Sequence, residues 1–188
     1  MGKSIQQLLL KLFKKYKTVV RFILSFLGSY IILVFLYQLY LDYYFSRGLP
    51  DYLTRLVALQ TEALINSFGY EAFVAPSSMY PLMNLSVNDI FIARIIEGCN
   101  SISLIILFLA FMLSFIGKTK PTLLFILGGS VIIYVMNIIR IALLSIGIYE
   151  MPGKVYFFHQ IVFPLVIYGT VFLLWIIWIY IYTKTARK

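Results

Sequence analysis

The sequence contains few charged residues, one cysteine and one histidine. Charged residues make up 12% of the 188 residues, whereas soluble domains carry about 25%, and hydrophobic residues make up 62%. The mean hydropathy is +0.93. Such a chain cannot present an ordinary soluble surface, so we expect an integral membrane protein. The single cysteine, Cys99, excludes an intrachain disulfide.

The sequence also lacks the usual signatures of metal and nucleotide sites. One cysteine and one histidine do not form a recognisable zinc cluster, and the acidic residues show no ligand spacing. No glycine-rich phosphate loop precedes a helical pattern. We therefore expect no metal and no cofactor. The net charge of +9 is explained below by membrane topology, so nucleic-acid binding is not needed to account for it.

Four apolar stretches approach or exceed the roughly 20 helical residues that cross a hydrocarbon core of about 30 Å. They are residues 19–41, 100–116, 121–149 and 160–182. The second is the shortest, and the third is long enough to tilt or protrude. The sequence thus predicts an all-α polytopic membrane protein with four transmembrane helices, folded as a single domain over residues 1–188.

Basic residues without acidic neighbours flank the predicted spans on one side, and the other five, Arg47, Arg55, Arg94, Arg140 and Lys154, lie with the acidic residues on the other side. The eleven that flank the two chain ends and the turn between the second and third spans are Lys3, Lys11, Lys14, Lys15, Lys17, Arg21, Lys118, Lys120, Lys184, Arg187 and Lys188. The seven acidic residues lie in or beside the remaining segments: Asp42, Asp51, Glu62, Glu71, Asp89, Glu97 and Glu150. Because basic loops stay in the cytoplasm, we expect both termini inside and residues 42–99 outside.

Residues 1–18 precede the first span, which is too long for a cleavable signal peptide and is expected to act as an anchor. Two interpretations fit this segment. Its apolar residues recur at helical spacing opposite lysines, which is typical of a cytoplasmic amphipathic helix on an anionic leaflet. A simple positive flank that directs insertion explains the same lysines equally well.

The outer segment, residues 42–99, is predicted to contain an amphipathic helix and a β-hairpin. Pro50 is placed to open the helix and Gly69 to end it. Its predicted apolar face consists of Leu53, Leu56, Val57, Leu64 and Phe68. The turn residues Asn88 and Asp89 precede a branched apolar run that leads directly to Cys99, which favours a hairpin over an ordinary loop.

Residue counting brings three reactive side chains to one membrane surface. Cys99 immediately precedes the second span, and His159 immediately precedes the fourth. Arg140 lies 19 residues after Pro121, or about 28 Å along a helix. Each residue also has a purely structural interpretation: a small apolar thiol, an arginine that snorkels to headgroups, and an interfacial histidine. Their convergence favours acyl-transfer chemistry.

The motifs around these residues resemble those of the exosortase/archaeosortase membrane transpeptidases, and most closely the exosortase F branch. They are Glu97-Gly98-Cys99-Asn100-Ser101, Asn137-Ile138-Ile139-Arg140 and Phe157-Phe158-His159-Gln160. The resemblance extends from about Val19 to Tyr182. Many family members carry a Ser-Gly or Ala-Gly pair after the cysteine, where this chain has Asn100-Ser101.

This resemblance implies a cysteine-dependent protease and transpeptidase in a bacterial cytoplasmic membrane, with its active site facing outward. Cys99 is then the nucleophile, His159 the acid and base, and Arg140 the stabiliser of the oxyanion or thiolate. The candidates for supporting residues are Asn137, Asn100, Ser101 and Glu97. The implied partners are the lipid bilayer, a secreted substrate with a C-terminal hydrophobic sorting signal, and a surface acceptor.

Two other functions fit parts of the pattern. A transporter subunit or assembly scaffold explains the polar residues Arg140 and His159 but leaves Cys99 incidental. A simple membrane peptidase uses the same three residues with water as the acceptor. The small residues Gly128, Gly129 and Ser130 permit close helix contact, either with the span of a substrate or within the chain itself.

Overall fold

The computed structural model of the protein describes residues 16–115 and 119–186. Its helices are α1 (Lys17–Phe45), α2 (Tyr52–Ser67), α3 (Ile102–Leu113), α4 (Thr119–Glu150), α5 (Val155–Phe157) and α6 (Phe163–Ala186). Its strands are β1 (Ala72–Pro76), β2 (Met83–Val87) and β3 (Ile90–Ile95). Short helical turns complete it: 3₁₀ helices at Glu97–Cys99 and Pro152–Lys154, and a π-helix at Phe158–Val162.

Three helical stretches within the described residues are long and apolar enough to cross a membrane. They are Lys17–Phe45, Lys120–Glu150 and Pro152–Thr183. The prediction of a mainly helical, multi-pass membrane protein is therefore confirmed, whereas the predicted number of four spans is not. The span predicted at 100–116 contains α3, whose 12 residues measure about 18 Å. That length is less than a core of about 30 Å, so helix length does not establish four crossings.

Helix α3 packs against three other helices, α1, α4 and α6. The buried cluster that joins α3, α4 and α6 consists of Phe108, Met112, Ile133, Ile167, Val171, Leu174 and Trp178. Gly129 of α4 faces the Phe108 ring so closely that an added Cβ would collide with it, whereas Gly128 has open space. At Gly129, the predicted close helix contact is therefore made within the chain.

Helix α2 is the predicted amphipathic helix, and its ends follow the local sequence. The Thr54 N–H donates a 3.0 Å hydrogen bond to the Asp51 carboxylate, which caps the first turn. Gly69, at φ +87°, follows the last turn. The predicted buried face is only partly correct, since Val57 is buried but Phe68 is 55% exposed. The face that packs inward is Thr54, Val57, Ala58, Thr61 and Ile65.

The predicted hairpin is present as β2 and β3, which pair antiparallel across the turn at Asn88 and Asp89. Both turn residues have positive φ, +47° and +62°, as two-residue hairpin turns require. A third strand, β1, pairs with β2 and was not predicted. The sheet packs against α2 and α4 through one buried cluster: Val57, Ala58, Ile65, Ala72, Val74, Met83, Leu85, Val87, Ile95, Ile141 and Ala142.

Two predictions concern parts of the chain that the structure does not describe. The cytoplasmic amphipathic segment predicted for residues 1–18 lies almost wholly outside the described residues, which begin at Tyr16. Lys118, in the predicted inner turn, also lies outside them, and α4 begins immediately afterwards.

Candidate active site

Cys99 lies where the sheet meets the helical bundle. Strand β3 ends at Ile95, the 3₁₀ turn Glu97–Cys99 follows, and α3 begins at Ile102. The Cys99 N–H donates to the Ile96 carbonyl at 2.8 Å, and the Cys99 carbonyl accepts a 2.7 Å hydrogen bond from the Asn137 side-chain amide of α4. The half-buried thiol is free. The predicted strand-to-helix junction therefore holds the backbone of the cysteine at both its N–H and its carbonyl.

The residue after this turn, Asn100, anchors the junction to two other helices. Asn100 is fully buried. It has three side-chain bonds: to the Tyr37 hydroxyl at 2.9 Å, to the Thr54 hydroxyl at 3.1 Å, and from the Ile102 N–H at 3.0 Å. These bonds tie α1 and α2 to the start of α3. Asn100 therefore supports the position of Cys99 through the backbone.

Ser101 carries backbone strain at this junction. Its φ is +65°, a left-handed conformation that costs a non-glycine residue about 1–2 kcal/mol. Its hydroxyl donates to the carbonyl of Asn100. Strained backbone of this kind is concentrated at functional sites, where the surrounding structure holds it in place. The strain lies two residues after the candidate nucleophile.

Cys99 and His159 line the same cavity, which has a volume of about 270 Å³. Strand β3 forms one wall and α4 another. The described residues contain no hydrogen bond between the two side chains, so the cavity is the space in which a substrate group would meet both of them. The sequence predicted this proximity only as a shared depth in the membrane.

His159 is held in the π-helix Phe158–Val162 at the start of the last long helix. Pro164 follows this turn and has no N–H to donate back into it, which gives a local reason for the irregular geometry. The imidazole stacks on the Phe163 ring with 5.5 Å between centroids and 12° between planes. Single π-turns inside α-helices are frequent at functional sites.

Arg140 contacts the same aromatic ring as His159. Its guanidinium carbon lies 3.4 Å from the Phe163 centroid, and the residue is only 7% exposed. Arg140 lines a neighbouring cavity of about 260 Å³ rather than the cavity of Cys99 and His159. The two cavities share Leu144 and Phe163. Phe163 was not predicted as a site residue, although its spacing of four from His159 indicates a common helix face.

The charge of Arg140 is not balanced by a carboxylate. No ion pair between Arg140 and an acidic residue occurs in the described ranges, and its buried Nε has no hydrogen-bond partner there. A buried cation without a partner is costly. A buried positive charge without a partner among the described residues therefore lies in the cavity next to the one that Cys99 lines.

The two remaining predicted supporting residues differ in their contacts. Asn137 donates to the Cys99 carbonyl, and its buried Oδ1 has no partner among the described atoms. Glu97 begins the 3₁₀ turn that contains Cys99 and forms no ion pair with Arg140 or His159 in the described structure. A role for Glu97 as a partner of either residue stays a prediction.

The described residues contain no group of three or more His, Cys, Asp or Glu side chains that could hold a metal ion. No protein-family model, curated protein or solved structure matches the chain. The candidate site therefore consists of His159 and Arg140, which both contact Phe163, and Cys99, which lines one cavity with His159 and Phe163.

Proposed function

We propose that this chain is a cysteine-dependent membrane transpeptidase that resembles the exosortases. It cleaves a peptide bond in the C-terminal sorting signal of a secreted protein and transfers the new carboxyl end to an acceptor. The observation that carries the proposal is that Cys99 and His159 line one cavity, while the buried Arg140, whose Nε has no hydrogen-bond partner in the described residues, lines the adjoining cavity and contacts Phe163, which borders both. Each of the three groups has a distinct task in acyl transfer.

The first half of the reaction forms a thioester. The Cys99 thiolate attacks the carbonyl carbon of the scissile bond, and the carbonyl oxygen becomes an oxyanion. Arg140 supplies positive charge for the thiolate and the oxyanion in a site where burial limits solvent screening. The carbon–nitrogen bond then breaks, and the His159 imidazolium gives its proton to the departing amine. Arg140 cannot be the base because it stays protonated.

The second half regenerates the enzyme. Neutral His159 takes a proton from the nucleophilic group of the acceptor, which attacks the thioester carbon. The carbon–sulfur bond breaks, Cys99 leaves as the thiolate, and the acceptor carries the new acyl bond. If water takes the place of the acceptor, the same steps give hydrolysis and a free carboxylate.

The proposed topology follows from the charge distribution. Four crossings with both termini inside place the sheet and the cavity on the outer side of a bacterial cytoplasmic membrane. In that topology the short α3 is accommodated by its flanking turns and by local adjustment of the bilayer. A substrate whose apolar tail packs beside the helical bundle reaches Cys99 by lateral movement in the membrane.

The deciding experiment compares membranes that contain the native chain with membranes that contain Cys99→Ala, Cys99→Ser or His159→Ala at equal abundance. The proposal predicts that a tailed secreted protein is shortened by the native chain and stays full length with each variant. Processing that continues with Cys99→Ala would contradict the proposal and favour a scaffold or transporter subunit.

The mass of the new C-terminus distinguishes transfer from hydrolysis. Transfer adds the mass of the acceptor to the shortened protein, whereas hydrolysis leaves a free carboxylate. The first result supports a transpeptidase, and the second identifies a simple peptidase that uses the same three residues.

A further inference from the structure

Strand β3 forms an edge of the sheet. The strand order is β1-β2-β3, and in the described part of the chain no other segment pairs with the outer side of β3. In an antiparallel sheet, successive residues direct their N–H and C=O groups to opposite neighbours. The outer side of β3 therefore presents backbone donors and acceptors that another extended chain can pair with.

The two edges of the sheet are not equivalent. At β1 the Ala72 N–H is already bonded to the Asn66 side chain at 2.6 Å, and the strand ends at Pro76, which has no N–H. Strand β3 contains no proline, and its residues Ile90 and Phe91 are 56% and 54% exposed. Native proteins usually protect an apolar edge strand from pairing. The edge at β3 has neither of the protections found at β1.

The cavity of Cys99 runs along this edge. Four consecutive residues of β3, Ile92 to Ile95, line it. The pairing of β3 with β2 shifts register between Leu85 and Ser86, which leaves Ile92 without a partner, and the cavity follows β3 through this irregular stretch. Residues of α4, together with His159, line the cavity as well. An extended chain laid along β3 would therefore enter the cavity that contains the thiol.

We infer that the substrate segment that precedes the scissile bond binds to the outer edge of β3 as an added strand. The inference rests on the proposed function, which places the apolar tail of the substrate in the membrane and the preceding segment beside the sheet. Main-chain hydrogen bonds to β3 then supply affinity, and alternate side chains of the segment face the pockets beside it. An extended backbone also presents the scissile carbonyl without a competing internal hydrogen bond.

Photocrosslinking tests this inference with two matched positions. Phe91 of β3 and Phe73 of β1 are exposed phenylalanines on opposite edges of the same sheet, at 54% and 65% exposure. Each is replaced in turn by p-benzoylphenylalanine in a Cys99→Ala chain, which retains unprocessed substrate. Cross-strand side chains lie about 5 Å apart, so a probe at position 91 is within reach of a paired segment.

The inference predicts that position 91 captures the tailed protein that the native chain shortens, through residues just before its cleavage point. Position 73 should give background only. If that protein is shortened in a Cys99-dependent manner but is captured equally from both positions or from neither, strand addition is wrong and the proposed function stands. If the only proteins captured from position 91 are ones that are not shortened in a Cys99-dependent manner, both proposals are overturned.

Discussion

The side-chain amide of Asn137 donates a 2.7 Å hydrogen bond to the main-chain carbonyl of Cys99. This bond joins the middle of α4 to the turn that carries the thiol, across 38 residues of sequence. It fixes the backbone of Cys99 relative to Arg140, which lies on α4 about one turn after Asn137. The position of the candidate nucleophile, Cys99, is therefore tied directly to α4, the helix that carries Arg140.

Replacing Asn137 with alanine should loosen this connection. A carbonyl that loses its donor in a partly buried position costs about 1–3 kcal/mol. We expect Asn137→Ala to lower the free energy of unfolding by that order and to slow processing. Denaturant titration in detergent and a processing assay check the two effects. Thr170→Ala is the control, since the Thr170 hydroxyl bonds only within its own helix; an equal effect of both variants would contradict the assigned role.

Replacing Arg140 with glutamine should reduce the reactivity of the Cys99 thiol. Arg140 is buried and lines the cavity that adjoins the Cys99 cavity, so loss of its charge is expected to slow alkylation by iodoacetamide at neutral pH by about tenfold, or about 1.4 kcal/mol. Arg47→Gln is a matched control, because Arg47 also lies over an aromatic ring, 3.6 Å from that of Tyr43. If the Cys99 thiol of Arg140→Gln is alkylated at the native rate, the guanidinium does not activate the thiol.

Phe163 should be important for processing, since it contacts both Arg140 and His159. Phe163→Leu removes a cation–π contact worth about 0.5–2 kcal/mol and leaves both side chains less constrained. We expect slower processing with a modest loss of stability. Phe172→Leu on the same helix, where the ring is 59% exposed, should retain full activity. Equal activity of the two variants would count against the aromatic support.

Gly128 and Gly129 give a paired test of helix packing. A methyl group at Gly129 would collide with the Phe108 ring, and one at Gly128 meets nothing within 4 Å. We expect Gly129→Ala to destabilise the fold by about 1–3 kcal/mol through overpacking. Gly128→Ala should be neutral or stabilise by up to about 1 kcal/mol. The reverse order, measured by unfolding in detergent, would contradict the packing of α3 on α4.

The Tyr70–Glu150 hydrogen bond, 2.9 Å long, should make stability depend on pH. The bond to the carboxylate raises the pKa of Tyr70 above its ordinary value near 10. Its stabilising effect is therefore present below pH 10 and is lost as the pH rises through the raised pKa. We expect Tyr70→Phe to lower Tm at pH 8 but not at strongly alkaline pH. The control is Tyr156→Phe, at a site that is 77% exposed. Its difference in Tm from the native chain should be the same at pH 8 and at strongly alkaline pH.

The sequence predicted most of the fold where the signal is local. Apolar length marked the three long helices, and Asn88 and Asp89 marked the turn between β2 and β3. Strand β1 was missed because its segment ends in Pro76 and its pairing with β2 depends on contacts distant in sequence. The predicted second span follows the apolar run from residue 100 to residue 116, whereas α3 itself is Ile102–Leu113.

The sequence proposed candidate site residues but did not predict their contacts. Counting residues placed Cys99, Arg140 and His159 at one depth because a helix has a fixed rise per residue. Counting does not give the direction in which each side chain points around its helix axis, so it did not reveal that Phe163 contacts both Arg140 and His159. Nor did it reveal that Asn137 bonds to Cys99. Those contacts depend on how α4 and α6 rotate against each other, which is decided by packing of the whole bundle.

The most direct test of the account is to trap an acyl group on the Cys99 sulfur. Membranes that contain the native chain and its tailed substrate are quenched during turnover, and the chain is analysed by mass spectrometry with and without hydroxylamine. We expect a hydroxylamine-sensitive adduct at Cys99 whose mass matches the substrate up to the cleaved bond, and its absence from Cys99→Ala. Substrate processing that proceeds at the native rate with Cys99→Ala would contradict the account.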